Sequence, residues 1–63
     1  MKVRYDKDAD AIYIKIAEEE YEVSEEIGSG VVIDLSKEGK IIGMEILDAS
    51  EKFSKTRLKE ISA

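Results

Sequence analysis

The chain predicts an α+β domain: an antiparallel meander sheet of about five strands with one C-terminal helix packed on one face. Three observations carry this expectation. Up to residue 47, apolar residues recur at every second position, which is the period of a half-buried strand. Short segments bearing glycine or aspartate interrupt that alternation at intervals suited to hairpins. After Asp48 the apolar spacing lengthens to that of a helix. The expected organisation is one small domain over residues 1–63, with the sheet in 1–47 and the helix in 48–62.

The elements follow in order. Val3 and Tyr5 point one way, Lys2 and Arg4 the other, so the chain opens on a short strand. Residues 6–10 form a turn. Ile12, Ile14 and Ile16 then alternate with Tyr13, Lys15 and Ala17, the clearest strand in the sequence. Three glutamates, Glu18, Glu19 and Glu20, break the pattern before Tyr21, Val23 and Ile27 resume it. Gly28-Ser29-Gly30 supplies the permissive backbone of a hairpin, after which Val31, Ile33 and Leu35 share one face and Val32 and Asp34 the other. Gly39 closes the next turn, and Ile42, Met44 and Ile46 point inward opposite Ile41, Gly43, Glu45 and Leu47. In the last segment Asp48 precedes Glu51 at capping-box spacing, and basic residues gather at the far end. Ala49, Phe53, Leu58 and Ile61 spread over a broad apolar helix face that can cover one side of a sheet.

Composition narrows the function classes. A chain of 63 residues has a thin core, which small domains usually reinforce with disulfides, metals or oligomerisation. With neither Cys nor His, disulfides are excluded, and so are the thiolate and imidazole ligands of zinc, haem and iron–sulfur centres. No cofactor and no metal is expected, and oligomerisation, a homodimer, is the expected supplement. No apolar run spans a bilayer and residues 1–10 are too polar for a signal peptide, so no membrane role and a cytoplasmic location are expected. The absence of Asn, Gln, Cys, His, Pro and Trp beside abundant Lys and Glu is a bias of proteins from heat-adapted organisms.

The net charge of −5 is unevenly placed. Residues 6–26 hold nine acids against Lys7 and Lys15, while Lys52, Lys55, Arg57 and Lys59 leave the tail locally basic. An acidic front opposes nucleic-acid binding, which needs clustered Lys and Arg. It suits a basic protein partner, with Glu18, Glu19, Glu20 and Glu22 as the expected docking residues.

Motifs with chemistry are few. Asp6, Asp8 and Asp10 have the D-x-D-x-D spacing of a calcium loop, but Ala11 stands where its glycine belongs and Ala17 where its closing acid belongs. Turn-shaping by these aspartates is the better reading. The G-x-x-x-G at Gly39 and Gly43 lies across a turn and a strand, so it is no helix-pairing motif. The phosphate-loop pattern ending at Gly39-Lys40 lacks its first glycine and its final Ser or Thr. Without Cys, His or an S-x-x-K pattern no nucleophilic machinery is expected and no catalytic residue is assigned. An alternative ligand site is Asp10, Tyr13, Asp34 and Glu45, because parity sets Asp34, Glu45 and Tyr13 on one outward face with Lys15 nearby. Carboxylates there are the only acid–base candidates.

The stretches MKVRYDKDADAIYIKI and GSGVVIDLSKEGKIIGMEILDAS closely resemble the small prokaryotic family catalogued as domain of unknown function 2283, over residues 1–50. The resemblance rests on the order and spacing of Tyr5-Asp6, Asp10, Tyr13-Ile14, Gly30, Asp34, Gly39, Gly43 and Glu45-Ile46. It implies a compact domain with no established activity. Because some relatives are encoded beside a small toxin-like protein, it also implies a candidate antitoxin. The charge run over residues 18–26 is longer than the family pattern.

Overall fold

The computed structural model describes residues 1–62. Its strands are β1 (Lys2–Asp6), β2 (Ala11–Lys15), β3 (Val23–Gly28), β4 (Val31–Leu35) and β5 (Ile41–Leu47), followed by helical segments α1 (Ala49–Lys52) and α2 (Lys55–Ser62). The α+β class and the five antiparallel strands are those expected. In the sheet they take the order β1-β2-β5-β4-β3. The meander therefore runs through β3, β4 and β5, and the β1–β2 hairpin joins it by pairing β2 with β5. Among the described residues no helix is long and apolar enough to cross a membrane.

Each turn has a local cause. Between β1 and β2, Asp6 Oδ1 accepts the backbone N–H of Asp8 at 3.0 Å and of Ala9 at 3.3 Å, the turn-shaping role expected of this aspartate run. Gly39 sits at φ 82° and its N–H donates to the Ser36 carbonyl at 2.9 Å, closing the β4–β5 connection. From β2 to β3 the chain crosses past β5 and β4. The N–H groups of Ile16 and Ala17 both reach the Ile42 carbonyl, and Glu22 N–H donates to the Leu35 carbonyl at 2.7 Å. This crossover ends β2 at Lys15, so Ile16 leaves the alternation and stands about half exposed.

Register sorts the side chains into two faces. Tyr5, Ile12, Ile46 and Val31 pair in sequence across the sheet, as do Val3, Ile14, Met44 and Ile33. This is the helix face. Ile12, Ala49 and Leu58 form the buried cluster, with Tyr5, Ile14, Ile46, Phe53 and Ile61 packed against it. The four apolar helix positions read from the sequence all reach this core. On the opposite face, one row is Arg4, Tyr13, Glu45, Val32 and Glu26 and the next is Lys2, Lys15, Gly43, Asp34 and Ser24.

The helical end is divided where one continuous helix was expected. Asp48 adopts a left-handed conformation (φ 51°, ψ 49°) and its side chain makes no cap hydrogen bond, so the expected capping box is not formed. The reason is long-range: the turn at Asp48 brings Ala49 N–H to the Asp10 carbonyl at 2.9 Å, and Ala49 is fully buried there. Phe53 then goes extended and packs on the core, and Ser54 restarts the helix, its Oγ accepting Arg57 N–H at 3.3 Å.

Candidate functional site

Two neighbouring features concentrate the chain's acid groups: a pocket on the face opposite the helices and an exposed edge beyond it. The pocket follows from strand parity. Tyr13 in β2 pairs with Glu45 in β5, and Gly43, two residues before Glu45, pairs with Asp34 in β4. Side chains two apart on β5 share a face, so Tyr13, Glu45 and Asp34 converge. Lys15, Glu19 and Tyr21 complete the rim, and the pocket encloses about 260 Å³. Glu19 and Tyr21 come from the β2–β3 crossover.

Gly43 is the floor between the carboxylates. A side-chain carbon there would stand 3.2 Å from Asp34 Oδ2 and 3.2 Å from the Ile14 carbonyl, closer than most real contacts. The absent side chain leaves the Asp34 carboxylate room over Gly43. Asp34 Oδ1 also accepts the Ser24 hydroxyl at 2.7 Å. Glu45 is held above the ordinary carboxylate range, first by partial burial, then by the negative charge of Asp34 and the hydrogen bond between the two groups. Such a pair can give or take a proton and can accept a cationic or hydrogen-bonding ligand. Among the described residues no group of three His, Cys, Asp or Glu side chains is arranged to hold a metal.

The edge lies outward of the pocket. Glu18, Glu19, Glu20 and Glu22 in the crossover are all exposed, and so is every residue of β3, including Glu25 and Glu26. Glu18 is tied to Lys15 at 3.1 Å, a surface pair that holds its carboxyl below the usual range, chiefly through the hydrogen bond and then through the lysine charge. Glu26 Oε2 accepts the Gly30 N–H at 2.9 Å. Apolar groups are interleaved with the acids: Tyr21 is 63% exposed and Ile27 58%. Expected from alternation to face the core, Tyr21 and Ile27 instead meet solvent, because the crossover carries Tyr21 outside the sheet and a bulge between Glu26 and Gly28 shifts the β3 register.

Of the four residues grouped from the sequence as a ligand site, the structure brings Tyr13, Asp34 and Glu45 together. Asp10 is engaged elsewhere. Its Oδ1 accepts the Tyr5 hydroxyl at 2.9 Å and Ser50 N–H at 3.0 Å, and its Oδ2 accepts the Ser50 hydroxyl at 2.7 Å. These bonds, that of the Ser50 side chain first and Tyr5 next, lower the Asp10 carboxyl, and the Tyr5 phenol is raised in return by its bond to Asp10. Asp10 thus clasps α1 to the first hairpin. Sequence reasoning missed Ser24 as a partner of Asp34 and Glu19 and Tyr21 as pocket rim. Parity alone points to Ser24 once β3 is paired with β4; the rim depends on a crossover that has no local signal.

The family model described as Protein of unknown function (DUF2283) matches residues 2–50, from the start of β1 into α1. No curated protein and no solved structure matches the chain.

Proposed function

The chain belongs to the DUF2283 family of proteins of unknown function, and from that premise we propose that it is a protein-binding module whose acidic edge takes a basic polypeptide. One observation carries this reading: β3 has an open backbone edge, is exposed along its whole length and is flanked by the glutamate-rich crossover. An extended segment adding to that edge gains main-chain hydrogen bonds, while Lys or Arg on the segment meets Glu20, Glu22, Glu25 and Glu26. Tyr21, Val23 and Ile27 supply apolar anchors between the charges. An antitoxin-like role, in which a basic protein is held and neutralised, is the biological form that fits this chemistry.

The test uses a fluorescent peptide alternating lysine with valine, titrated into the chain at low and at high salt. Binding at low salt that shifts the amide resonances of residues 22–28 and weakens steeply with salt is the expected result. Replacing Glu20, Glu22 and Glu25, all exposed, with Lys should abolish it with the fold intact. Shifts confined to other strands, or equal binding by the lysine variant, would overturn the proposal.

The pocket favours a second reading, a module for a small ligand or a proton-transfer site, because Glu45 is raised and lies beside Asp34 in a concavity. A Glu45 carboxyl that titrates at its ordinary value would remove that reading.

A further inference from the structure

We infer that β1 pairs with β1 of a second copy of this chain, antiparallel about a two-fold axis at Arg4, so that the two sheets run on as one. The inference is separate from the acidic-edge reading and uses the other side of the sheet.

β1 is an outer strand with one row of backbone groups unpaired. On the face opposite the helices it carries Lys2, Arg4 and Asp6, and on the helix face Val3 and Tyr5. An antiparallel two-fold centred on Arg4 keeps both faces in phase. It sets Lys2 of each copy opposite Asp6 of the other, and Val3, 43% exposed, opposite Tyr5. The strand is thus complementary to itself in charge and shape. The one like-charge meeting, Arg4 with Arg4, is eased because each guanidinium lies over its own Tyr13 ring, 4.9 Å from the centroid and directed back across β2.

The same operation fails on β3. Centred on Glu25 or Glu26 it opposes identical glutamates, and centred on Ser24 it opposes Glu22 and Glu26. Self-pairing is therefore directed to β1. The need for a second copy is visible in the core, where Ala11, Ile12, Ile42, Ala49 and Leu58 are the buried hydrophobic residues among those described.

The experiment measures solution mass across a concentration series and cross-linking by single cysteines, since the chain has none of its own. Directly opposed residues of antiparallel strands have Cα atoms about 4.5–5.5 Å apart, within disulfide span. The full chain should show twice its monomer mass, and Arg4→Cys should cross-link under mild oxidation where Glu25→Cys does not. Lys2→Glu should weaken the dimer about tenfold by turning two attractions into repulsions. Adding Asp6→Lys should restore it. Asp6 also holds the β1–β2 turn, so that swap is read beside a circular-dichroism melt, and the cysteine comparison stands without it. A monomer at the highest attainable concentration, Arg4→Cys cross-linking no faster than Glu25→Cys, or an equally tight Lys2→Glu dimer would each overturn the inference.

Discussion

β1 and β3 close opposite sides of the same sheet, and each has a single strand neighbour. Their surroundings differ. α2 lies against β1, Tyr5 packs on the Ile12–Leu58 cluster, and its hydroxyl joins Asp10 and Ser50 in a clasp that spans 40 residues of sequence between Asp10 and Ser50. β3 has only β4 beside it, and each of its residues is exposed. The charges differ in kind as well, mixed on β1 and glutamate alone on β3. The comparison teaches that an edge can be open in two senses: one is backed by the helix and core and carries both signs of charge, the other lacks that backing and carries glutamate alone.

The largest expected effect tests the support. Ile12, the one large side chain in the described residues that is essentially fully buried, pairs directly with Tyr5. Ile12→Ala should cost about 3 kcal/mol in denaturant unfolding. Ile27→Ala on β3 should stay within about 0.5 kcal/mol. Equal losses would mean that β3 is packed against something in solution.

Amide hydrogen exchange gives the next contrast. β3 has little tertiary contact beyond its hairpin, so its amides should exchange through local opening at least about tenfold faster than those of β2. Uniform protection would abolish the distinction between a supported and an unsupported half.

The smallest effects are in pH, and they run in opposite directions. The Asp10 carboxyl is lowered from 3.8 by its hydrogen bonds, so the clasp contributes stability that is present above that value and lost as pH falls through the folded-state value. Glu45 is raised from 4.5, so its contribution is present below that value and lost as pH rises through the folded-state value. Carbon-detected NMR titration should place Asp10 below 3.8 and Glu45 above 4.5. Midpoints at the ordinary 3.8 and 4.5 would show that neither site keeps its geometry in solution.

Much of this molecule was legible from alternation. The strands, the left-handed Gly39, the apolar helix positions and the shared face of Tyr13, Asp34 and Glu45 follow from periods of two and of 3.6 with turn chemistry. The rest depends on contacts distant in sequence. Nothing local says that β5 lies between β2 and β4, and the pocket rim follows from that placement alone. The sequence groups Asp10 with the outward carboxylates because an aspartate at a strand entrance gives no sign of Ser50, 40 residues away. Likewise the left-handed Asp48 and extended Phe53 are required by the docking of Ala49, against the preference of their own segment for a continuous helix.

The central place of β5 also has a consequence for biosynthesis. Until residues 41–47 leave the ribosome, the chain holds a hairpin of β1 and β2 and a hairpin of β3 and β4 with no strand to join them. Isolated two-stranded hairpins are marginal in water, so a nascent chain halted near residue 40 should be an unfolded substrate for chaperones and proteases. Assembly becomes nearly all-or-none at the moment one late strand is inserted.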